Sequence, residues 1–288
     1  MEPIPSSDAI GGLKQTLHGY LRVNEEVFLR YAGSKSLPDN ASGIHQLRVS
    51  VKRLRSVFRY MEWVAPGQFE ARDALQEVRK FFKTAGNLRD LHIREAMLDR
   101  FCDELGLGFP RYANLLKKEK AAAQVSLGKR VQQVRPQGLA QAMEDMENIL
   151  SGIEEAELLE LARGLLRRRM LQVRLVFPEA HDAERYHKVR VLLKESLYVL
   201  QLLLEASHRE WDKKWVNAVK EAGERGGEWH DVEVFLHALD GARQQPSHVF
   251  PDERAFLRLR AAVQAAETRA LERYRKQVVK VLEKSPFA

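Results

Sequence analysis

Residues 45–55 read HQLRVSVKRLR, and the row of cations continues to Arg59 without an acid before Glu62. A run this basic ordinarily belongs to a solvated tail, because like charges repel and oppose compaction. Here Leu47, Val51, Leu54, Phe58 and Met61 thread through it at spacings of 4, 3, 4 and 3. That is the period of an amphipathic helix, which the pattern predicts over about 43–64. On the same helix His45, Arg48, Lys52, Arg55 and Arg59 follow spacings of 3, 4, 3 and 4 and share a neighbouring face. At 1.5 Å per residue the cationic row extends over roughly 21 Å. Like pairs at such spacing cost a few tenths of a kcal/mol each. A solvated helix face ordinarily mixes acids with bases, so a row of one sign suggests a surface shaped for a polyanion.

The rest of the chain is read from this helix outward. Its 288 residues are 44% hydrophobic and 30% charged, the balance of a globular protein rather than a disordered one. No apolar run approaches the roughly 18–20 residues that would span a bilayer, and the N-terminus lacks the pattern of a signal peptide. The single Cys102 cannot form an internal disulfide, which fits a cytoplasmic location. The formal net charge is +7, and its distribution is uneven. Residues 1–140 hold 23 Lys and Arg against 15 Asp and Glu, whereas residues 141–288 hold 24 against 25.

Helical periodicity dominates throughout, with helices expected at about 8–31, 43–64, 68–84, 88–105, 110–134, 153–176, 182–206, 209–223, 229–240 and 252–284. Gly86 and the pair Gly226-Gly227 read as breaks between helices, along with the Pro-containing segments. The two halves resemble each other. HQLRVSVKRLR aligns with the segment from His187 to Lys194 at an offset of 142, and Gly86 to Asp90 aligns with Gly227 to Asp231 at 141. An internal duplication is therefore expected, with a first half over about 8–135, an acidic connector over about 139–152 and a second half over about 153–284. The echo is weaker than the original. His187, Arg190 and Lys194 keep the spacing, but Glu195 stands where the first copy has Arg53, and Leu197 where it has Arg55. Further basic rows lie on other helices: Arg22 with His18, Arg167 with Arg174, and Arg269 to Lys284 on the last helix.

A helix opening with His-x-x-Arg-Val and running into Lys-Arg-Leu-Arg, then Gly-x-Leu-Arg-Asp some forty residues on, resembles the CHAD family, the conserved histidine α-helical domain. The resemblance covers about residues 8–284, and the second copy strengthens it. It implies an all-α fold of two pseudo-symmetric helical bundles around a basic central groove or pore. It also implies a binding module for inorganic polyphosphate, able to associate with polyphosphate granules, with no cofactor, no metal and no catalysis. Carried over by motif, the polyphosphate-binding residues are His45, Arg48, Lys52, Arg53, Arg55 and Arg89 in the first half, and His187, Arg190 and Lys194 in the second. Arg22, Arg59, Lys83, Arg167, Arg174 and Lys188 are neighbouring basic candidates. Asp90 and Asp231 sit among cations and are expected to orient arginines rather than touch phosphate. The two histidines have two readings, as phosphate donors or as structural donors to a carbonyl or carboxylate. His230 in place of Arg89 and Leu197 in place of Arg55 depart from the pattern, so the second half is expected to contribute less. No alternating Glu-x-Glu-x-Lys segment of a triphosphate tunnel domain is visible, which suggests a free-standing module.

Two other classes of function compete. Nucleic acid shares the electrostatics and is the less favoured partner, because the main row has no interleaved exposed aromatics for base stacking. A metal-dependent phosphohydrolase using His45, Asp90, His187 and Asp231 is the weakest reading, because surrounding cations would repel the ion. Oligomeric state has no signature in the sequence.

Overall fold

The computed structural model describes residues 12–70, 72–133, 137–178, 182–206, 211–244 and 249–287, without the side chains of 73, 74 and 77. Among these residues every regular element is a helix: α1 (Leu13–Ala32), α2 (Ala41–Val64), α3 (Arg72–Leu105), α4 (Pro110–Val131), α5 (Gln137–Ser151), α6 (Glu155–Val176), α7 (Ala183–Ala206), α8 (Lys213–Arg243) and α9 (Glu253–Glu283). A short 3-10 turn, Leu37–Asp39, joins α1 to α2. The all-α expectation holds, and no described helix is long and apolar enough to cross a membrane.

Local chemistry sets the helix ends. The Asn40 side chain accepts a hydrogen bond from the Gly43 amide at 2.7 Å and so caps α2. Asp212 and Asp252 cap α8 and α9 in the same way, accepting from the amides of Lys214 and Ala255. Pro110 opens α4, where its missing N–H is no loss. Helix α3 stops at Gly106, whose φ of 61° is left-handed, and the Leu107 amide donates back to the Cys102 carbonyl at 3.1 Å.

Three boundaries differ from the sequence expectation. The segments 68–84 and 88–105 are one helix, α3, running through Gly86. Likewise 209–223 and 229–240 form the single helix α8, running through Gly226 and Gly227. A lone helical glycine costs only about 1 kcal/mol against alanine, which the packing of a long helix easily outweighs. The supposed acidic connector is the helix α5, whose Leu139, Ala142, Met143, Met146 and Leu150 are buried while its acids face outward.

The packing order α1–α2–α3–α4 is repeated by α6–α7–α8–α9, each helix lying against the next. Buried apolar residues fall into two clusters, and each draws on both halves of the chain. The larger joins α1, α2, α5, α6 and α7 with parts of α3, α8 and α9. The smaller joins the C-terminal part of α3 and start of α4 to the C-terminal part of α8 and start of α9. Leu47, Val51, Leu54, Phe58 and Met61 of α2 are all completely buried in the larger cluster, as the periodicity requires. This fixes the rotation of α2 and turns its cationic face toward α3 and α7.

Candidate functional site

The cationic face of α2 meets its echo on α7 in the middle of the molecule, flanked by α3 and α8. Arg48 is seated first. Its Nη1 donates to the Phe82 carbonyl at 3.3 Å, and the guanidinium lies 4.4 Å from the centre of the Phe82 ring. It crosses α3 directly over Gly86, where a Cβ would stand 2.4 Å from Nη1. Arg190 packs on α8 by its stem, with its Nε buried and without a partner. A Cβ on Gly226 would come within 3.3 Å of Arg190 Cγ and 2.9 Å of the Tyr274 ring. Beneath lies an aromatic floor in which Trp229 stacks on Tyr274 at 5.9 Å. The Trp229 indole donates to Glu267 at 2.7 Å. Both glycines thus serve close approach of a guanidinium stem rather than a turn. The alignment pairs Gly86 with Gly227, but it is Gly226 that receives Arg190, and Gly227 faces open space.

The electrostatics describe a cation surplus. Burial first, then Lys194, Arg48 and Arg190, push the Lys52 ammonium down to about 7, and Asp231 opposes them only in part. Lys194 is pushed down to about 8 by burial and by Arg190 and Arg48, again against Asp231. Burial, with Arg190, His187, Lys194 and Lys52, lowers His230 to about 3, so it is neutral at any ordinary pH. Its ring lies 5.1 Å from that of His187. Asp231 is raised by burial despite Arg190, Lys194 and Arg89 around it. His45 and His187 lie at the exposed rim. Partial desolvation, then neighbouring cations, hold both below the ordinary histidine value. Neither ring makes a hydrogen bond to the described residues. Five cations, Arg48, Lys52, Arg89, Arg190 and Lys194, thus outnumber the three carboxylates around them, Asp90, Asp231 and Glu233, the last lying 3.1 Å from the His230 ring and within electrostatic range of Arg190. Such a site holds a standing attraction for anions.

The protein-family model of the CHAD domain matches residues 29–240. The chain belongs to the CHAD family. The CHAD domain from the plant Ricinus communis shares the fold at a TM-score of 0.69 and 19% identity, covering 94% of this chain and 89% of that one. PptA from Streptomyces chartreusis does so at 0.59 and 15%, covering 92% and 98%. No curated protein matches the sequence.

Not every basic candidate reaches the centre of this CHAD domain. Arg53 leaves α2 on another side, 5.7 Å from the Tyr20 ring and near Tyr198 and Glu205, with its Nε buried and without a partner. Arg55 lies 5.9 Å from the centre of the same Phe82 ring, close to Arg59 and Arg79. Arg59 turns to α7 and pairs with Glu195, which also accepts from Arg169 at 3.0 Å. Arg22 donates to His18 at 3.1 Å, and His18 meets Glu147 of α5. Arg174 has a structural use, donating to the carbonyls of Leu282 at 3.0 Å and Phe287 at 3.3 Å beyond the end of α9. Lys83, Arg167 and Lys188 are exposed on the outside.

Sequence reasoning missed several members of the site. His230 was visible as the residue before Asp231 but was read only as a lost arginine. Phe82, Tyr198 and Tyr274 carry no signal of their own in a helical pattern. Among the described residues no group of three or more His, Cys, Asp and Glu is placed to hold a metal ion.

Proposed function

We propose that this CHAD domain binds inorganic polyphosphate in the central cluster between α2, α3, α7 and α8, as a binding module without turnover that can associate with polyphosphate granules. The observation that carries the reading is the meeting of the two cationic rows, one from each half, with more cations than carboxylates. Polyphosphate offers a linear series of charged tetrahedra and no bases. A protein recognises it through charge density and groove width. Arg48 and Arg190, seated on glycines and turned inward, supply planar forks that pair two oxygens at once. Lys52 and Lys194 add mobile point charges that tolerate shifts in chain register. Asp90 and Asp231 orient the arginines and offset part of their mutual repulsion.

Nucleic acid would call for aromatic faces open to the bases. Tyr60 is instead buried and donates to the Leu158 carbonyl at 2.7 Å, and Trp63 donates to that of Leu161 at 3.0 Å. The decisive experiment measures anisotropy of labelled polyphosphate against two charge-reversed pairs, Arg48→Glu with Lys52→Glu, and Arg190→Glu with Lys194→Glu. Both pairs weaken binding, the first more than the second; binding indifferent to both refutes the site. Single-stranded DNA added as competitor, matched in phosphate, should displace the probe poorly. Phosphate release from polyphosphate with divalent ions, abolished by His45→Ala, would replace the binding reading with an enzymatic one.

A further inference from the structure

We propose that the anion path continues beyond the central cluster into a second subsite made by Arg59 of α2 and Arg169 of α6, and that the Glu195 carboxylate occupies this subsite as an internal competitor for phosphate. The proposal rests on the polyphosphate reading and extends it along the same helix.

Arg59 lies on the same face of α2 as Lys52, seven residues and therefore about 10.5 Å further along. One oxygen of Glu195 meets Arg59 Nη1, and the other meets Arg169 Nη2 at 3.0 Å. Two guanidiniums from different helices thus clamp one carboxylate from a third, the arrangement that a phosphate group would also satisfy. The clamp is not neutral. Arg55, Arg79 and Arg168 lie within electrostatic range of its two arginines, and on the acidic side Glu62 lies near Arg59. A small pocket with room for about one water adjoins the clamp, lined also by Ser56, Leu165, Leu166 and Val199. A phosphate therefore enters only by taking the place of the carboxylate. The sequence marks the same residue independently, since Glu195 is where the second copy reverses the charge of Arg53.

A carboxylate in this position makes the outer subsite available only to a ligand already held by the central cluster. A long chain can displace Glu195, because its next phosphates are delivered at high local concentration. A short anion gains nothing from reaching it. The domain thereby favours long chains over free phosphate and pyrophosphate.

The test uses Glu195→Gln, which preserves shape and removes the charge, with long-chain polyphosphate and pyrophosphate as probes. Long-chain affinity should rise about tenfold, the equivalent of about 1.4 kcal/mol. Pyrophosphate affinity should stay within about twofold. Glu272→Gln, which removes the same charge from the exposed side of α9, controls for net charge and should change neither. Unchanged or weaker long-chain binding by Glu195→Gln, or an equal gain from Glu272→Gln, overturns the proposal. Should Glu195→Gln fail to fold, Arg169→Gln decides: long-chain affinity must fall, and unchanged affinity refutes the subsite. Wild-type protein that binds neither probe refutes the parent reading, and with it this one. Wild-type binding lost in the Arg48→Glu and Lys52→Glu pair, without any Glu195 effect, refutes this one alone.

Discussion

Replacing Gly86 by alanine separates the seat of Arg48 from the stability of α3. On helix propensity alone, the change stabilises an interior helical site by about 1 kcal/mol. The new Cβ would stand 2.4 Å from Arg48 Nη1, and the α3 backbone cannot yield, so the guanidinium must move. Moving it gives up the bond to the Phe82 carbonyl, about 1.5 kcal/mol for a charged donor. It also gives up the ring contact, about 0.5–1 kcal/mol. Stability should therefore fall by only about 1–1.5 kcal/mol after the propensity gain. Binding should fall at least about tenfold, because a charge-assisted phosphate contact is worth about 1.5–3 kcal/mol. Gly226→Ala should behave in the opposite sense. Its Cβ would press at 2.9 Å on the ring of the completely buried Tyr274, and overpacking of this kind costs about 1–3 kcal/mol. Gly227→Ala meets nothing within 4 Å and should stabilise α8 by about 1 kcal/mol. Urea unfolding and polyphosphate titration of the three variants check all of this together. Wild-type affinity in Gly86→Ala, or identical stabilities for Gly226→Ala and Gly227→Ala, would refute the reasoning.

Two further outcomes follow from the charges. The five central cations imply that log K falls with log salt at a slope of about −3.5 near pH 6.5, and a slope near zero in a salt titration would remove the polyanion reading. Lys52 and Lys194 are held down to about 7 and about 8 in the folded chain. From there up to the ordinary lysine range the unfolded chain binds more protons, so stability should rise with pH across that window, as denaturant unfolding can show. A bound polyanion recharges both ammoniums, so binding should take up protons near pH 8 and weaken as pH rises above about 7. Calorimetry in buffers of different ionisation heat reads the uptake directly, and a heat independent of buffer contradicts it.

What the sequence revealed of the fold followed from periodicity. The two interleaved stripes of α2 fixed both its buried face and the face turned to the centre, and all five apolar positions are fully buried. The echo at His187, Arg190 and Lys194 located the facing helix. What stayed hidden depended on contacts between distant segments. Gly86 and Gly226 look like breakers because glycine is a breaker in isolation. Only the arrival of Arg48 and Arg190 shows why a long helix keeps them. Helix α5 was taken for a connector because its acids are visible in sequence and the burial of Met143 and Met146 is not. Arg174 looked like a ligand for the same reason: nothing local announces the carbonyls of Leu282 and Phe287 that occupy it.

The unbroken cationic row on α2 also acquires a physical explanation that differs along its length. At the far end the countercharge is protein, since Glu195 of α7 closes on Arg59. Arg53, which lies off the row, has Glu205 within electrostatic range. In the middle, the countercharge falls short. Burial, and then the crowding of Arg48, Lys52, Arg190 and Lys194 on one another, drives the two lysines toward neutrality. A lysine that sheds its proton relieves repulsion in the empty site, and an arriving phosphate restores the proton together with the charge. The arginines have no such relief, because the guanidinium stays protonated at any working pH. Arg48 is instead braced by the Phe82 carbonyl and ring, and Arg190 by packing over Gly226 with Asp231 in electrostatic range. The row is therefore tolerated by three means: a borrowed carboxylate, a labile proton and rigid seating. The segment relying on the last two is the one shaped to receive an anion from outside.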